Sequence, residues 1–546
     1  MTGPAEPAAY DSTITKQRYR TALVVIGLMC GMLLGAIDQT VVATAMPTVV
    51  GYLGGFSLIT WVTTAYMLTS TATLPIFGKL SDLYGRRLFY LVGLGLFMVG
   101  SALCGAAKTM PQLVLFRGLQ GIGGGAMVPV AQTIIGDIFP GAQRARMQGV
   151  FTALFGVASI LGPQVGGWIV DFWDWRWVFY INIPVGLTAA ILIGLFLREY
   201  KEQGTRNIDY LGSAAVVGAA VFLLLGLVQG GKDYPWMSAP IIGRFAAAAG
   251  FIILFIFAES VAKEPILPLD LFKDRVFAVC NFVGFFMGLA LFGAVVFVPL
   301  FMQGVVGISA SDAGMVMTPM MFTVVLSSLL GGWLVSRVGY RTQTVLGMGV
   351  LAAGFYLMSL LTPDNSWQQA LGAALVAGIG LGLVMPIIVL AVQGSFPKER
   401  RGVVTSSTAF FRSIGGTMGV AILGVIMNNR SAGLIRDRLA AMAGSAPPEM
   451  TSVLNQLRSM TDIDPQSPFA ILVNKGAQNT IPAQFLAPVT RMLKDVLSQS
   501  IRTVFLVAMG VIIAGAVTAL FMGHARLDVD GEPSERVITG PADWAE

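Results

Sequence analysis

Apolar stretches of about 20 residues alternate with short polar segments along almost the whole chain, and a helix of that length crosses a hydrocarbon core about 30 Å thick. A membrane β-barrel would instead show alternating segments of roughly 10 residues, which the sequence lacks. We therefore predict fourteen membrane-spanning helices. Their predicted positions are 21–46, 58–77, 88–107, 111–135, 147–170, 176–197, 209–230, 239–261, 276–302, 311–334, 342–362, 367–394, 404–427 and 500–523.

Composition supports this fold class, since only 12% of the 546 residues are charged, whereas soluble domains carry about 25%. The first apolar stretch is too long for the core of a signal peptide, so we interpret it as a retained helix. The net charge of +6 does not indicate a nucleic-acid site, because the basic residues lie in short loops. Those loops lie at every second junction between predicted spans, so they share one side of the membrane with the two tails. The positive-inside rule therefore predicts that both tails, 1–20 and 524–546, lie in the cytoplasm.

An internal repeat divides the predicted helices into two halves. GKLSDLYGRR (78–87) matches GWLVSRVGYR (332–341) at an offset of 254 residues, and GIGGGAMVP (121–129) matches GIGLGLVMP (378–386) at an offset of 257. Such duplication is typical of secondary transporters. The predicted division is 21–200 for a first six-helix bundle, 201–265 for an inserted hairpin of spans seven and eight, and 266–523 for a second six-helix bundle that includes an extracytoplasmic loop at 428–499.

The sequence shows no pattern typical of catalysis or metal binding. Cys30, Cys104 and Cys280 lie in apolar segments without a nearby partner, which indicates neither a disulfide framework nor a metal site. The only histidine, His524, leaves no histidine-based catalytic pair, and no nucleotide-binding motif is present. We therefore expect a transporter rather than an enzyme, with no cofactor and with an energy source other than ATP.

One carboxylate interrupts the first span. In AIDQTVVATAMP (36–47), Asp38 is the only charged residue across the first two predicted spans, and an ionisable residue inside a membrane is a functional candidate by default. Two arginines inside other spans, Arg117 in the fourth and Arg412 in the thirteenth, are candidate counter-charges. We predict that these three residues take part in proton coupling.

Four motifs that follow one another along the first half of the chain resemble those of a known family. GKLSDLYGRR resembles the loop signature of the major facilitator superfamily, and AIDQTVVATAMP, RGLQGIGGG (117–125) and GVASILGPQVGG (156–167) resemble its fourteen-helix drug:proton antiporter branch. The resemblance implies an all-α fold of two six-helix bundles in a pseudo-twofold arrangement, with Arg117 near Asp38. It also implies proton-coupled multidrug efflux across the cytoplasmic (inner) membrane of a bacterium.

The resemblance assigns roles to two motifs. The loop motif implies a cytoplasmic latch that holds the outward-open state, although Arg86 and Arg87 as simple topology anchors remain an alternative. Ser336 replaces the aspartate in the second copy, so we expect the latch chiefly in the first half. The Gly-Pro motif of the fifth span implies an exporter, and its residues allow that helix to bend and slide. The latch residues are Gly78, Asp82, Gly85, Arg86, Arg87 and Asp137, and the antiporter-motif residues are Gly156, Gly162, Pro163, Gly166 and Gly167.

The substrate is expected to meet aromatic residues and methionines, because such side chains adapt to compounds of different shape. Asp38 is the only carboxylate well inside a core span, so we expect lipophilic monocations, zwitterions or neutral compounds rather than dications. The predicted cavity residues, for which packing against lipid or other helices is the alternative, are Trp61, Tyr66, Gln120, Met127, Phe285, Phe286, Met287, Met302, Gln303, Phe410 and Phe411.

Residues 428–499 form the only long segment between predicted spans, and their apolar positions recur at helical spacing. We predict that the last two helices extend outward as an amphipathic hairpin, which would serve as a lid, as a contact for a partner in the cell envelope, or only as a self-packed loop. We expect a monomer whose partners are a lipophilic substrate, protons and membrane lipid. Proton-coupled uptake of a nutrient or metabolite, and export of a lipid or envelope component, remain alternatives to drug efflux.

Overall fold

The computed structural model describes residues 7–54, 58–198, 209–231, 234–307, 310–363, 367–443, 448–463, 467–473 and 481–523, and these are almost entirely helical. Short 3₁₀ turns lie at Leu269–Lys273 and Lys398–Arg400, and a π-helical turn lies at Met302–Val306. The helices are α1 (Pro7–Leu53), α2 (Ile59–Tyr84), α3 (Arg86–Ala106), α4 (Met110–Ile138), α5 (Gly141–Phe172), α6 (Trp177–Tyr180), α7 (Asn182–Phe196), α8 (Tyr210–Gln229), α9 (Ala239–Val261), α10 (Arg275–Phe301), α11 (Ala310–Val338), α12 (Tyr340–Ser359), α13 (Trp367–Ser395), α14 (Arg401–Ala443), α15 (Pro448–Ile463), α16 (Ala470–Val473) and α17 (Ala483–Leu520).

Each predicted span coincides with one helix or, for the sixth span, with α6 and α7, which meet at Ile181. Judged by length and composition alone, eleven helices within the described residues are able to cross a membrane. α2, α5 and α10 are not among them. α2 and α5 carry polar side chains, such as Thr71 and Gln148, that are buried between helices, and α10, with the π-helical turn that follows it, contributes only the shorter apolar stretches Arg275–Leu291 and Phe297–Val306. The predicted fold class, an all-α polytopic membrane protein, is confirmed.

Two groups of helices pack internally, α1–α7 in the first and α10–α14 with α17 in the second. Glycines allow the closest crossings at equivalent positions of the repeat. A side chain on Gly123 of α4 would meet backbone atoms of Gly93 on α3, and one on Gly380 of α13 would meet backbone atoms of Leu351 on α12. The glycine-rich segments therefore serve close helix packing. α8 and α9 pack on each other, and α8 touches both α2 and α14.

The two groups meet at one end of the bundle, which we name the motif end because it carries residues 78–87. We name the opposite end, which carries α15, the far end. At the motif end α2 packs on α14, where a side chain on Gly78 would meet Ser406, and α5 packs on α11, where one on Gly332 would lie 2.5 Å from the carbonyl oxygen of Ala145. Described residues of α1 and α10 make no contact of similar extent. The molecule is therefore closed at the motif end.

At the far end, the described helices extend well beyond the spans 404–427 and 500–523. α14 continues to Ala443, and α17 begins at Ala483. Ser431, on the extension of α14, and Ser500, at the start of the span 500–523, share a hydrogen bond of 2.9 Å. The apolar residues of this segment pack inward rather than facing water, and those that are buried include Met450, Val453, Leu454, Leu457, Leu493, Val496 and Leu497.

Candidate functional site

Asp38, near the middle of α1, forms a buried ion pair with Arg117 of α4. One guanidinium nitrogen of Arg117 lies 2.5 Å from Asp38 Oδ2, and the two side chains are 1% and 0% exposed, respectively. An unpaired charge in such a place costs several kcal/mol, so each residue stabilises the other inside the membrane. Arg117 therefore points into the protein rather than outward to water.

Two neutral amides complete the surroundings of the Asp38 carboxylate. Gln120 Nε2 donates to Asp38 Oδ1 at 2.9 Å, and Asn182 Nδ2 of α7 donates to the same oxygen at 3.0 Å. Gln120 Oε1 also accepts a hydrogen bond from Arg117 at 2.8 Å. Gln120 therefore belongs to this network and not to the substrate cavity in which the sequence placed it. Asn182 was missed by the sequence analysis, and its signal was a single amide at the start of an apolar helix.

The network continues to the aromatic and backbone groups around it. The Arg117 guanidinium lies over the ring of Tyr66, 4.4 Å from its centroid, an attraction between a cation and an aromatic face. Asn182 Nδ2 also donates to Ser101 Oγ at 3.0 Å, and Ser101 donates to the carbonyl oxygen of Phe179 at 2.8 Å. Tyr66 is 2% exposed, so it too is part of this network rather than of an open cavity.

This arrangement joins three helices through one carboxylate. Asp38 of α1 accepts hydrogen bonds from the guanidinium of Arg117 and the amide of Gln120 on α4, and from the amide of Asn182 on α7. Protonation of Asp38 would remove the ion pair and leave Arg117 buried without a counter-charge. The ion pair and the relative positions of α1, α4 and α7 are therefore linked.

Asn182→Leu should weaken transport, because it removes a donor to a buried charged group at similar side-chain volume. Such a hydrogen bond contributes about 1.5–3 kcal/mol, so we expect proton-driven transport to fall by about 10-fold while the protein remains folded. Asn281→Leu is the matched control, since Asn281 is also buried but donates only to the carbonyl oxygen of Phe277. Equal transport by the two variants in proteoliposomes would show that Asn182 has no positioning role.

The Gly-Pro motif packs α5 against the part of α1 that follows Asp38. A side chain on Gly162 would meet Thr40, and one on Gly166 would lie 3.0 Å from the carbonyl oxygen of Val41. Thr40 hydrogen-bonds the carbonyl oxygen of Ile37 at 2.9 Å, directly beside Asp38. Movement of α5 would therefore be transmitted to the segment that holds the carboxylate.

The same helix also touches the second group. A side chain on Gly156 would lie 3.1 Å from the carbonyl oxygen of Met321 on α11. Gly167 has open space around it, so it contributes no close crossing, and the side chain of Pro163 lies outside the described part of the structure. α5 thus connects the Asp38 site with the other group of helices.

At the motif end, Arg86 lies between two carboxylates. It forms ion pairs with Asp82 and with Asp137, the latter at 3.2 Å, and donates to the carbonyl oxygen of Lys398 in the second group at 3.1 Å. Gly85 forms the turn between α2 and α3 with a φ of 110°, a left-handed conformation that favours glycine. Arg86 is therefore part of the contact between the groups and not only a topology anchor.

Asp82 joins the first group to the first turn of α14. Its two carboxylate oxygens accept hydrogen bonds from the backbone N–H of Gly402 at 2.9 Å and of Val403 at 2.7 Å. A carboxylate at a helix N-terminus satisfies unpaired donors and favours the helix dipole. Arg401 adds a second link, since it lies 3.3 Å from Asp137. These contacts can form only when the motif end is closed.

The Asp82 carboxyl makes this closure sensitive to pH. Asp82 lies beyond the apolar span 58–77, and its burial raises the pKa from 3.8 to about 6, even though Arg86 and the amides of Gly402 and Val403 act in the opposite direction. Relative to an open state with a hydrated carboxyl, the closed state binds this proton more readily. Acid therefore stabilises the closed state relative to the open one, and this stabilisation is lost as the pH rises from 3.8 to about 6.

The second copy of the loop motif lacks this chemistry. Ser336 stands at the position equivalent to Asp82 and donates to the carbonyl oxygen of Trp333 in its own helix at 2.8 Å. Arg144 is equivalent to Arg401 (401 − 257 = 144), yet within the described residues it forms no ion pair and donates to the carbonyl oxygen of Phe139 at 3.1 Å. The charged contacts between the groups thus belong chiefly to the first copy.

Gly78 and Arg87 lie at different places in the predicted latch. Gly78 lies within α2 at the point where that helix crosses α14, since a side chain there would meet Ser406. Arg87 does not reach the second group through its resolved hydrogen bond, because it donates to the carbonyl oxygen of Gly194 on α7. Both residues shape the motif end, but only Gly78 lies at the contact between the groups.

A layer of amides lies inside the charged layer, and the sequence analysis missed it. Gln393 Nε2 of α13 donates to the carbonyl oxygen of Gln132 on α4 at 3.1 Å and to Thr405 Oγ1 on α14 at 3.0 Å. Gln148 Nε2 of α5 lies 3.5 Å from Gln393 Oε1. These buried side chains join both groups. Closure of the motif end therefore has an ionic outer layer and a neutral inner layer.

Most predicted cavity residues pack against other helices. Phe286 lies beside Gly515 of α17, and the Phe411 ring meets that of Phe272 edge to face, with centroids 6.0 Å apart. The apolar residue types were correct for a helix interior, and their place in a substrate cavity stays a prediction. Those that are buried are Met127, Met287, Met302 and Phe410, and those that retain partial exposure are Trp61, Phe285 and Gln303.

Arg412 is not part of the Asp38 network. It lies on α14 in the second group, and within the described residues no carboxylate forms an ion pair with it, whereas Asp38 pairs with Arg117. The sequence could supply two arginines as counter-charges but not their distances. In the structure Asp38 pairs with Arg117, and Arg412 has no carboxylate partner among the described residues.

A helical membrane fold of two packed groups, closed at one end and holding a buried carboxylate–guanidinium pair, defines a secondary transporter. Residues 28–420 match the family model described as the Major Facilitator Superfamily. The chain belongs to that family, which confirms the resemblance found in its motifs.

Two curated relatives from Bacillus subtilis (strain 168) match over nearly their whole length. The multidrug transporter protein MdtP is 50% identical over 94% of this chain and 94% of its own. Multidrug resistance protein 3 is 39% identical over 96% of this chain and 99% of its own. Among solved structures, the human organic anion transporter MFSD10 superposes with a TM-score of 0.59 over 91% of this chain and 99% of its own. At 13% identity, that likeness shows the fold alone.

Proposed function

We propose that this chain is a proton-coupled antiporter that exports lipophilic or amphipathic compounds from the cytoplasm by alternating access. The observation that carries the proposal is the buried pair of Asp38 and Arg117, with its three donors on one carboxylate. Relatives named as multidrug transporters support the substrate class, since they match nearly the whole chain.

In this proposal the motif end faces the cytoplasm of a bacterial cell membrane, and both tails lie on that side. The basic residues near this end support the orientation, because positive loops stay in the cytoplasm. Residues 21–200 and 266–523 act as the two bundles, with 201–265 as an inserted hairpin. The closed motif end then corresponds to a state that is open outward.

The cycle follows from the contacts. A proton from outside reaches Asp38, the ion pair with Arg117 is lost, and α1 and α5 shift because Gly162 and Gly166 hold them in contact. That shift weakens the contacts of α5 with α11 and separates Asp82 from α14. The motif end opens, substrate enters from the cytoplasm, and release of the proton there restores the ion pair and the closed state.

Transport by inverted membrane vesicles tests the proposal and separates it from its alternatives. We expect proton-driven accumulation of neutral and charged fluorescent amphiphiles inside inverted vesicles, which corresponds to export from cells. Collapse of the pH gradient with nigericin should stop it. Accumulation only in right-side-out vesicles would instead indicate uptake, and movement of labelled lipids alone would indicate export of an envelope component.

A further inference from the structure

Arg412 of α14 faces the contact between the two groups of helices, on the far-end side of the closed motif end. Thr405 and Arg412 are seven residues apart, so they share a face of the helix and lie about 10 Å apart along its axis. Thr405 Oγ1 accepts the hydrogen bond of Gln393 at this contact. Arg412 therefore lies on the face that is turned toward the first group, on the far-end side of the closed layers.

The neighbours of Arg412 define the surroundings of its side chain. Ser413, the next residue, shares a hydrogen bond of 2.8 Å with Thr71 of α2, so α14 still touches the first group at this level. On another side, a Cβ on Gly288 of α10 would lie 3.2 Å from Arg412 Cγ. The backbone carbonyl of Arg412 lies even closer to this position, so the absence of a side chain on Gly288 lets α10 and α14 cross closely beside the arginine. Arg412 itself remains partly exposed.

The charge of Arg412 is not balanced by the described residues around it. No described carboxylate forms an ion pair with it, and no described acceptor hydrogen-bonds its guanidinium, in contrast to Arg117. The pair of Asp38 and Arg117 is buried and its charges cancel. A guanidinium offers two parallel donors to an acidic group, and the attraction is strong where water is scarce.

We propose that Arg412 binds the acidic group of an anionic amphiphile, with the apolar body of the substrate against α10 and α14. This deepens the proposed export function and rests on it, and it adds lipophilic monoanions to the expected monocations, zwitterions and neutral compounds. The acidic group is a carboxylate, sulfonate or phosphate, carried by a free solute rather than by a membrane lipid.

Two fluorescent probes with the same aromatic body test the proposal. 8-Anilinonaphthalene-1-sulfonate carries one sulfonate, and N-phenyl-1-naphthylamine is the same molecule without it. We expect the purified protein in neutral detergent to bind the sulfonate at least about 10-fold more tightly, the range given by one charge-assisted hydrogen-bonded pair. Equal affinity for the two probes would overturn the proposal, whatever the variants do.

Substitutions then assign the preference to one residue. Arg412→Gln should lower affinity for the sulfonate about 10-fold or more and leave that for N-phenyl-1-naphthylamine unchanged, while Arg412→Lys should keep most of the preference. Arg176→Gln is the matched control, because Arg176 lies at the far end and pairs with Asp174. An unchanged preference in Arg412→Gln would contradict the assignment.

Two further measurements separate sources of failure. Added phosphatidylglycerol should not displace the sulfonate probe, and displacement would assign the site to a lipid headgroup instead. Export of N-phenyl-1-naphthylamine driven by a pH gradient tests the proposed function without the acidic group. If that export persists and the sulfonate preference is absent, the antiporter proposal stands and the anion site is wrong.

Discussion

Asp38→Asn should abolish proton-driven export. The substitution removes the only carboxylate in the described network with almost no change in volume, and it leaves Arg117 buried without a counter-charge. We expect transport by purified protein in proteoliposomes to fall to the level of protein-free liposomes. Binding of a neutral probe such as N-phenyl-1-naphthylamine should remain, since no contact with substrate is assigned to Asp38.

Stability must be controlled in this experiment, because removing one partner of a buried ion pair costs about 3–5 kcal/mol. Asp174→Asn is the matched control, as Asp174 pairs with Arg176 in a pair whose side chains are 52% and 34% exposed. That variant should transport normally. Asp38→Glu should keep part of the activity, and full gradient-driven export by a folded Asp38→Asn protein would reject Asp38 as the proton site.

Gly78→Ala should prevent complete closure of the motif end. A Cβ at this position would meet the Ser406 side chain and lie 2.8 Å from the carbonyl oxygen of Gly402, and the backbone at a helix crossing has little freedom to move away. We expect export to fall by at least about 10-fold, because a 1.4 kcal/mol penalty on one state already shifts its population by that factor.

Spin labels report this change directly. Leu88 and Glu399 are exposed residues on opposite groups at the motif end, so labels placed there should move apart in Gly78→Ala. Gly95→Ala is the matched control, since a side chain on Gly95 of α3 would meet nothing within 4 Å. It should leave both transport and the label distance unchanged. An unaltered distance in Gly78→Ala would show that this crossing does not set closure.

Hydropathy alone predicted the helices, because burial in lipid requires long apolar stretches whatever the tertiary contacts are. Charges inside spans were equally informative, since Asp38 and Arg117 had to be paired to lie at that depth. Neutral amides carry no such signal. Asn182 and Gln393 are uncharged residues in largely apolar helices, and only the folded positions of their neighbours show what they bind.

The substrate cavity stays a prediction for a related reason. Residue type does not reveal which face of a helix meets another helix, so Phe286 and Met287 were indistinguishable from lining residues in the sequence. The periodicity of α14 does indicate which of its residues lie on the same face. Thr405 and Arg412 share one face, but the meaning of that face depends on Gln393, which lies on another helix.

The linked movement of protons and substrate is the central claim, and simultaneous flux measurement tests it most directly. Purified protein in proteoliposomes, with an internal pH dye and a fluorescent substrate, would be given a pH gradient and no substrate gradient. The account predicts that protons and substrate move in opposite directions, that substrate accumulates against its own gradient, and that Asp38→Asn stops both. Substrate movement at the same rate without a pH gradient, or in the same direction as the protons, would contradict it.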